Sequence, residues 1–153
     1  MRTADGTSNS QFFKSSNTKN NFSSSENKLW INLISDNGVF NQISVAYVDG
    51  ATNDYDGSSY DAKRITETYS FIYSIINDSA HKFIIQGKAP SSLNEDEIIS
   101  LGFDTSIDVP TLYTLSVGQL QGDFLTNNPI YLKDNLLNKL HDLSVSDYSF
   151  PVM

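Results

Sequence analysis

From Lys28 onward, hydrophobic residues recur at every second position in short runs. In Lys28–Ile34 the apolar residues Leu29, Ile31 and Leu33 fall on one face, the period of a half-buried strand. Phe40–Val48 alternates more cleanly, with Ile43, Val45 and Tyr47 on one side and Gln42 and Ser44 on the other. Tyr69–Ile76 is β-branched and aromatic and predicts a buried strand. Lys82–Gln86 predicts the next, stopped by Gly87 and Pro90. Thr111–Val117 places Tyr113, Leu115 and Val117 on one face, and Asp147–Val152 does the same with Tyr148, Phe150 and Val152. Ile130–Lys133 and Lys139–Leu143 can pair as a hairpin across Asp134–Asn138. Leucines at 136, 137, 140 and 143 also fit a short helix there. Gly50–Asp61 reads as a polar loop, and Gly118–Gly122 and Asn127–Pro129 as turns. Seven or eight short strands between turn signals predict an all-β fold, an antiparallel β-sandwich of Ig-like or jelly-roll type over residues 28–153. Residues 1–27 are rich in Ser and Asn and predict a flexible N-terminal arm or linker. Phe12, Phe13 and Phe22 suggest that part of this arm packs on the domain.

Composition narrows the partners. The 153 residues include 9 Phe, 8 Tyr and 1 Trp, enough apolar surface for one folded core. A net charge of -8 repels phosphate backbones and anionic membrane surfaces, so neither nucleic acid nor membrane insertion is expected. The absence of Cys removes disulfides and thiolate metal sites. No apolar run approaches the roughly 20 residues of a spanning helix. Met1–Gly6 lacks an apolar leader region, so the expectation is a processed chain or a piece of a longer one.

The densest candidate chemistry is the loop Asp49–Asp61. Asp49, Asp54, Asp56 and Asp61 supply hard oxygen donors of the kind Ca²⁺ takes. The spacing fails the EF-hand template, because Lys63 falls where a bidentate acid is required. The other reading is an Asx-turn loop whose carboxylates cap backbone amides. Tyr55 and Tyr60 in the same loop form a candidate platform for stacking sugar faces, whereas Trp30 and Tyr47 lie in strands and are expected in the core. Glu67, Glu95, Asp96 and Glu97 are candidate acids for glycoside hydrolysis, but the last three share one polar stretch that reads as a solvated loop. His81 and His141 have no metal-ligand spacing, and His141-Asp142 has no nucleophile elbow to activate. A phosphate-cradling or dinucleotide-binding glycine motif is also missing. The expectation is a protein without catalytic activity.

A set of strings in fixed order carries a resemblance. The run KLWINLISDNGVFNQISVAYVDGATNDYD (Lys28–Asp56) is followed by Tyr60-Asp61-Ala62-Lys63, Ile85-Gln86-Gly87-Lys88 and Ser100-Leu101-Gly102-Phe103. Then come Gly122-Asp123-Phe124, Ile130-Tyr131-Leu132-Lys133-Asp134-Asn135, His141-Asp142-Leu143 and Asp147-Tyr148-Ser149-Phe150. Over residues 28–152 the chain resembles the type C-like C-terminal sorting domains of proteins exported by the type IX secretion system of Bacteroidetes. The resemblance implies a non-catalytic β-sandwich that acts as an address label. It implies passage through the periplasm and delivery to the cell surface or medium. The implied partners are the type IX translocon, shuttle and sortase-like proteins. The family pattern runs past the Tyr-Ser-Phe strand into a Gly turn and a last strand containing Arg-Phe, whereas this sequence stops at Met153. The expectation is therefore an open edge at the C-terminal strand, with Tyr148 and Phe150 as candidate partner-binding residues. The alternative function is a carbohydrate-binding or adhesive module of a secreted enzyme or adhesin, binding polysaccharide through Tyr55 and Tyr60.

Overall fold

The first strand, β1 (Asn27–Ser35), buries Leu29, Ile31 and Leu33 and leaves Lys28, Trp30 and Asn32 partly exposed. Alternation thus takes Trp30 out of the core, contrary to expectation, because its neighbours Leu29 and Ile31 already occupy the inward positions. The computed structural model describes residues 26–55, 60–64, 69–76 and 81–152. The expected arm at 1–27 falls almost wholly outside them.

A tight turn returns the chain to β2 (Phe40–Tyr47). Ser35 Oγ accepts from the N–H groups of Asn37 (3.3 Å) and Val39 (3.0 Å), and Gly38 takes a positive φ of 100°. Ile31 then faces Ile43, and Leu29 faces Val45. On the other edge of β1 runs β7 (Thr111–Gln121), pairing Leu33 with Leu115 and Ile31 with Val117. The register shifts between Trp30 and Ile31, leaving Gly118 as the extra residue of a β-bulge. The strand therefore continues through the expected turn at Gly118–Gly122. A Cβ on Gly118 would come within 2.8 Å of the Asn32 amide, so the missing side chain is what admits Asn32.

Three further strands extend the sheet beyond β2: β4 (Ser70–Ser74), β5 (Phe83–Lys88) and β6 (Leu101–Thr105). The two-residue β3 (Ala62–Lys63) pairs with β5, and β10 (Tyr148–Val152) pairs with β7. The order is β10-β7-β1-β2-β5-β4-β6. The β2–β5 pair is parallel, from Ser44↔Ile85 to Tyr47↔Lys88, and the other pairings among the described strands are antiparallel. A separate hairpin joins β8 (Tyr131–Asp134) to β9 (Lys139–Asp142), and one short helix, α1 (Asp123–Asn127), links β7 to it.

The all-β architecture matches the expectation, and its layers come from one sheet that curls over itself. Tyr113 on β7 lies 4.8 Å, centroid to centroid, from Phe103 on β6 and 5.6 Å from Phe150 on β10. Phe103 and Phe150 are 5.3 Å apart, so the two end strands meet through side chains. Inside the curl lie Leu33, Ile43 and Tyr113, each essentially fully buried. Burying a side chain of this size stabilises by about 1.5–3 kcal/mol.

Where β2 has not yet begun to pair with β5, Asn41 supplies the missing strand neighbour. Its Nδ2 donates to Ser70 O (2.8 Å), and its Oδ1 accepts from Ile72 N–H (3.1 Å). Asn41→Ala leaves both backbone groups of β4 without this partner. It is expected to cost about 2 kcal/mol in urea denaturation. Asn41→Asp, which keeps the acceptor and loses the donor, should recover less than half of that loss.

Candidate functional site

The Asp49–Asp61 loop is bound into the fold through its last residue. Asp61 is 4% exposed, and its carboxylate accepts the Gly87 N–H at 2.9 Å. Tyr60 lies against Gly87, where an added Cβ would fall 2.6 Å from the Tyr60 Cβ. These contacts carry β5 past Gly87 to Lys88, beyond the predicted stop. Tyr55 packs on Phe83 (5.2 Å) and His81 (5.7 Å), with Lys63 Nζ 5.8 Å from its ring centre. The Tyr55 ring thus packs on β5, whereas the Tyr60 ring lies by Gly50 in the loop and is 38% exposed. Asp49 and Asp54 are exposed, and Asp56 lies outside the described residues. Among the described residues no three carboxylate or imidazole groups converge as metal ligands. Asp61 acts as a cap on backbone.

The polar stretch Glu95–Glu97 divides. Glu95 and Asp96 are exposed, but Glu97 turns inward. Its Oε2 lies 3.0 Å from Lys88 Nζ, 2.9 Å from the Tyr47 hydroxyl and 3.2 Å from Ser92 Oγ. Burial, the Glu97 charge and this hydrogen bond, in that order, push the Tyr47 pKa far upward. Sequence reasoning missed the cluster because Lys88 sits on an inward position of β5 that only the parallel pairing with β2 makes inward. The cluster ties the 89–100 crossover to the sheet.

At the C-terminal end, the DNLLNK run forms a hairpin and not a helix. Asp134 Oδ1 accepts the N–H groups of Leu136 (3.0 Å) and Leu137 (3.1 Å), and Asn138 takes φ 53°. Asp and Asn are suited to these two positions, and together they reverse the chain. Four leucines that a helix would align are thereby parted. Leu143 is buried, while Leu136, Leu137 and Leu140 are 91%, 47% and 70% exposed. Tyr131 shares the outward face of the hairpin with Leu140, two positions along from its cross-strand partner Lys133. Val145 is exposed just beyond.

The inward face of this hairpin meets β10. The Tyr148 hydroxyl donates to Asp134 Oδ2 (2.7 Å), and the Tyr148 ring lies 5.4 Å from His141. A ring nitrogen of His141 bonds Ser146 O (2.9 Å), and Asp142 Oδ1 accepts the Ser144 N–H (2.8 Å), so this His-Asp pair shapes the turn before β10. Tyr148 is buried and Phe150 is partly buried in the aromatic cluster. What β10 offers outward is its backbone: among the described residues its ladder partner is β7. No helix among the described residues is long and apolar enough to cross a membrane.

Glu97→Ala removes the partner of the Lys88 ammonium and is expected to cost about 3 kcal/mol by urea denaturation. The double variant Lys88→Met, Glu97→Leu should recover most of it. A second expectation concerns pH. The Tyr148 hydrogen bond, with two backbone N–H bonds, holds Asp134 below its usual pKa of 3.8. The resulting stability is present above that pH and lost as pH falls through the depressed value. Tyr148 is pushed up to about 12 by burial first, then by its bond to Asp134 and that carboxylate's charge. Its contribution is complete below about pH 10 and lost as pH rises toward 12. In thermal melts, Tyr148→Phe should lower stability at neutral pH by about 1 kcal/mol and flatten the pH dependence at both ends.

Neither a curated protein nor a solved structure matches the chain. Residues 1–152 match the family described as Domain of unknown function (DUF8693), and the chain belongs to that family.

Proposed function

We propose that this domain is a non-catalytic recognition module that directs type IX secretion and cell-surface delivery of its parent protein. One observation carries the recognition role. The β8–β9 hairpin holds Tyr131, Leu136, Leu137 and Leu140 in solvent, beside a terminal strand whose outer edge is not paired among the described residues. Exposed apolar residues in such a group mark protein contacts. A strand edge adds main-chain pairing, and the hairpin adds side-chain selectivity. The export system as the specific reader rests on the sequence resemblance across residues 28–152. In this reading the partners are the translocon, shuttle and sortase-like proteins, met in the periplasm and at the surface.

The test fuses the full chain behind a periplasm-directed reporter in a Bacteroidetes host, with and without a working type IX system. Surface or medium delivery is expected only when the system works. The paired change Leu136→Ser, Leu140→Ser should reduce delivery at least about tenfold, because polar atoms cannot replace apolar burial in the contact. Retention of the reporter in the periplasm of both hosts would overturn the export reading. Undiminished delivery of the paired variant would move the contact away from the hairpin.

A further inference from the structure

A different surface carries its own chemistry. The β1–β2 turn, the residue before β4 and the segment after β6 enclose an open groove of about 600 Å³. Phe40, Tyr69, Ser106, Ile107 and Asp108 line it. Phe40 is 62% exposed and Tyr69 74%, so both rings present large apolar faces to solvent at the groove. Both project from backbone that is held in place. Ser106 N–H donates to Tyr69 O (2.7 Å), and Ile107 N–H donates to Thr105 Oγ1 (3.0 Å). On the facing wall, Asn37 Nδ2 donates to Thr111 Oγ1 (3.2 Å), and Ser35 ties the turn to Val39. Hydrogen bonds thus hold the backbone on both sides of the groove from which the two rings project. Asp108 and the Tyr69 hydroxyl make no side-chain hydrogen bond or ion pair among the described residues, and both stand open to a ligand.

We propose that this groove binds a neutral, β-linked oligosaccharide. A pyranose with equatorial substituents has two flat C–H faces and a rim of hydroxyls. The faces suit the Phe40 and Tyr69 rings, which gain by burying apolar C–H surface. The rim hydroxyls can donate to the Asp108 carboxylate and exchange hydrogen bonds with the Tyr69 hydroxyl. Among the described residues no Lys or Arg lines the groove, and the chain carries net charge -8, so sulfated or uronic glycans are disfavoured. The site is separate from the β8–β9 hairpin and from Tyr55 and Tyr60, neither of which lines it.

Calorimetric titration of the full chain with cellohexaose, laminarihexaose and chitohexaose tests the assignment. At least one should bind with a dissociation constant of about 1 mM or tighter. Phe40→Ala and Tyr69→Ala should each weaken it about tenfold, and Asp108→Asn a few-fold. Both rings are exposed, so circular dichroism should show the variants folded. Leu136→Ser, which alters the hairpin, should leave binding unchanged, so failure of the export reading does not touch this one. Absence of heat with all three sugars overturns the proposal, as does binding that survives both aromatic substitutions. Stronger binding to a sulfated glycan than to its neutral counterpart would overturn the stated ligand class.

Discussion

Tyr113 sits on β7 with no exposed surface, and its hydroxyl lies 2.6 Å from Ser70 Oγ and 3.0 Å from Thr105 Oγ1. Ser70 and Thr105 are themselves 2.7 Å apart. One residue of β7 thereby reaches β4 and β6, which lie at the other end of the sheet's strand order. Three hydroxyls satisfy one another, two of them on the fully buried Ser70 and Tyr113, where an unpaired one would cost about 1–3 kcal/mol. The ring packs on Phe103 and Phe150 directly beside this triangle. The closure of the curl depends on this contact, and the rest of the core follows from the closure.

Once the sheet is curled, its connections need fastening, and polar side chains do much of it. Asn41 bridges β2 to β4, Asp61 caps Gly87, and Glu97 gathers Lys88, Tyr47 and Ser92. Each of these groups is partly or wholly buried and has its partners, as buried polar groups must. The parallel β2–β5 pair explains why so many are needed. Its strands cannot be joined by a short hairpin, so the chain makes a long excursion through the loop, β3 and β4 before returning.

Two surfaces remain outside this fastening. The β8–β9 hairpin faces β10 through Asp134 and Tyr148 and leaves Leu136, Leu137 and Leu140 outside. The β1–β2 turn and the end of β6 leave Phe40 and Tyr69 around a groove. A recognition module needs a rigid scaffold with such patches, and here each patch rises from hydrogen-bonded backbone. The first suits an apolar protein contact, and the second suits a ligand with mixed faces.

The sequence by itself determined the strands in which apolar and polar residues alternate, namely β1, β2, β7 and β10, because a period of two survives any tertiary arrangement that buries one face. It determined the all-β class for the same reason, and Asp134 and Asn138 made the C-terminal hairpin legible beside a competing helix. It did not reveal β6, whose LGFDT run is half-buried throughout and has no clear alternation. Nor did it reveal that β7 passes through Gly118, since a glycine reads alike in a turn and in a bulge until its partner strand is known. The candidate site was less legible still. Tyr55, Tyr60 and Asp61 look like ligand-binding residues in a polar loop, yet β5 lies under them and uses them for packing. Tertiary structure alone decided that Glu97 turns inward, that Trp30 faces out, and that Phe40 and Tyr69, 29 residues apart, border one groove. Those outcomes depend on which strands become neighbours, and strand neighbours are chosen by the closure of the whole sheet around Tyr113.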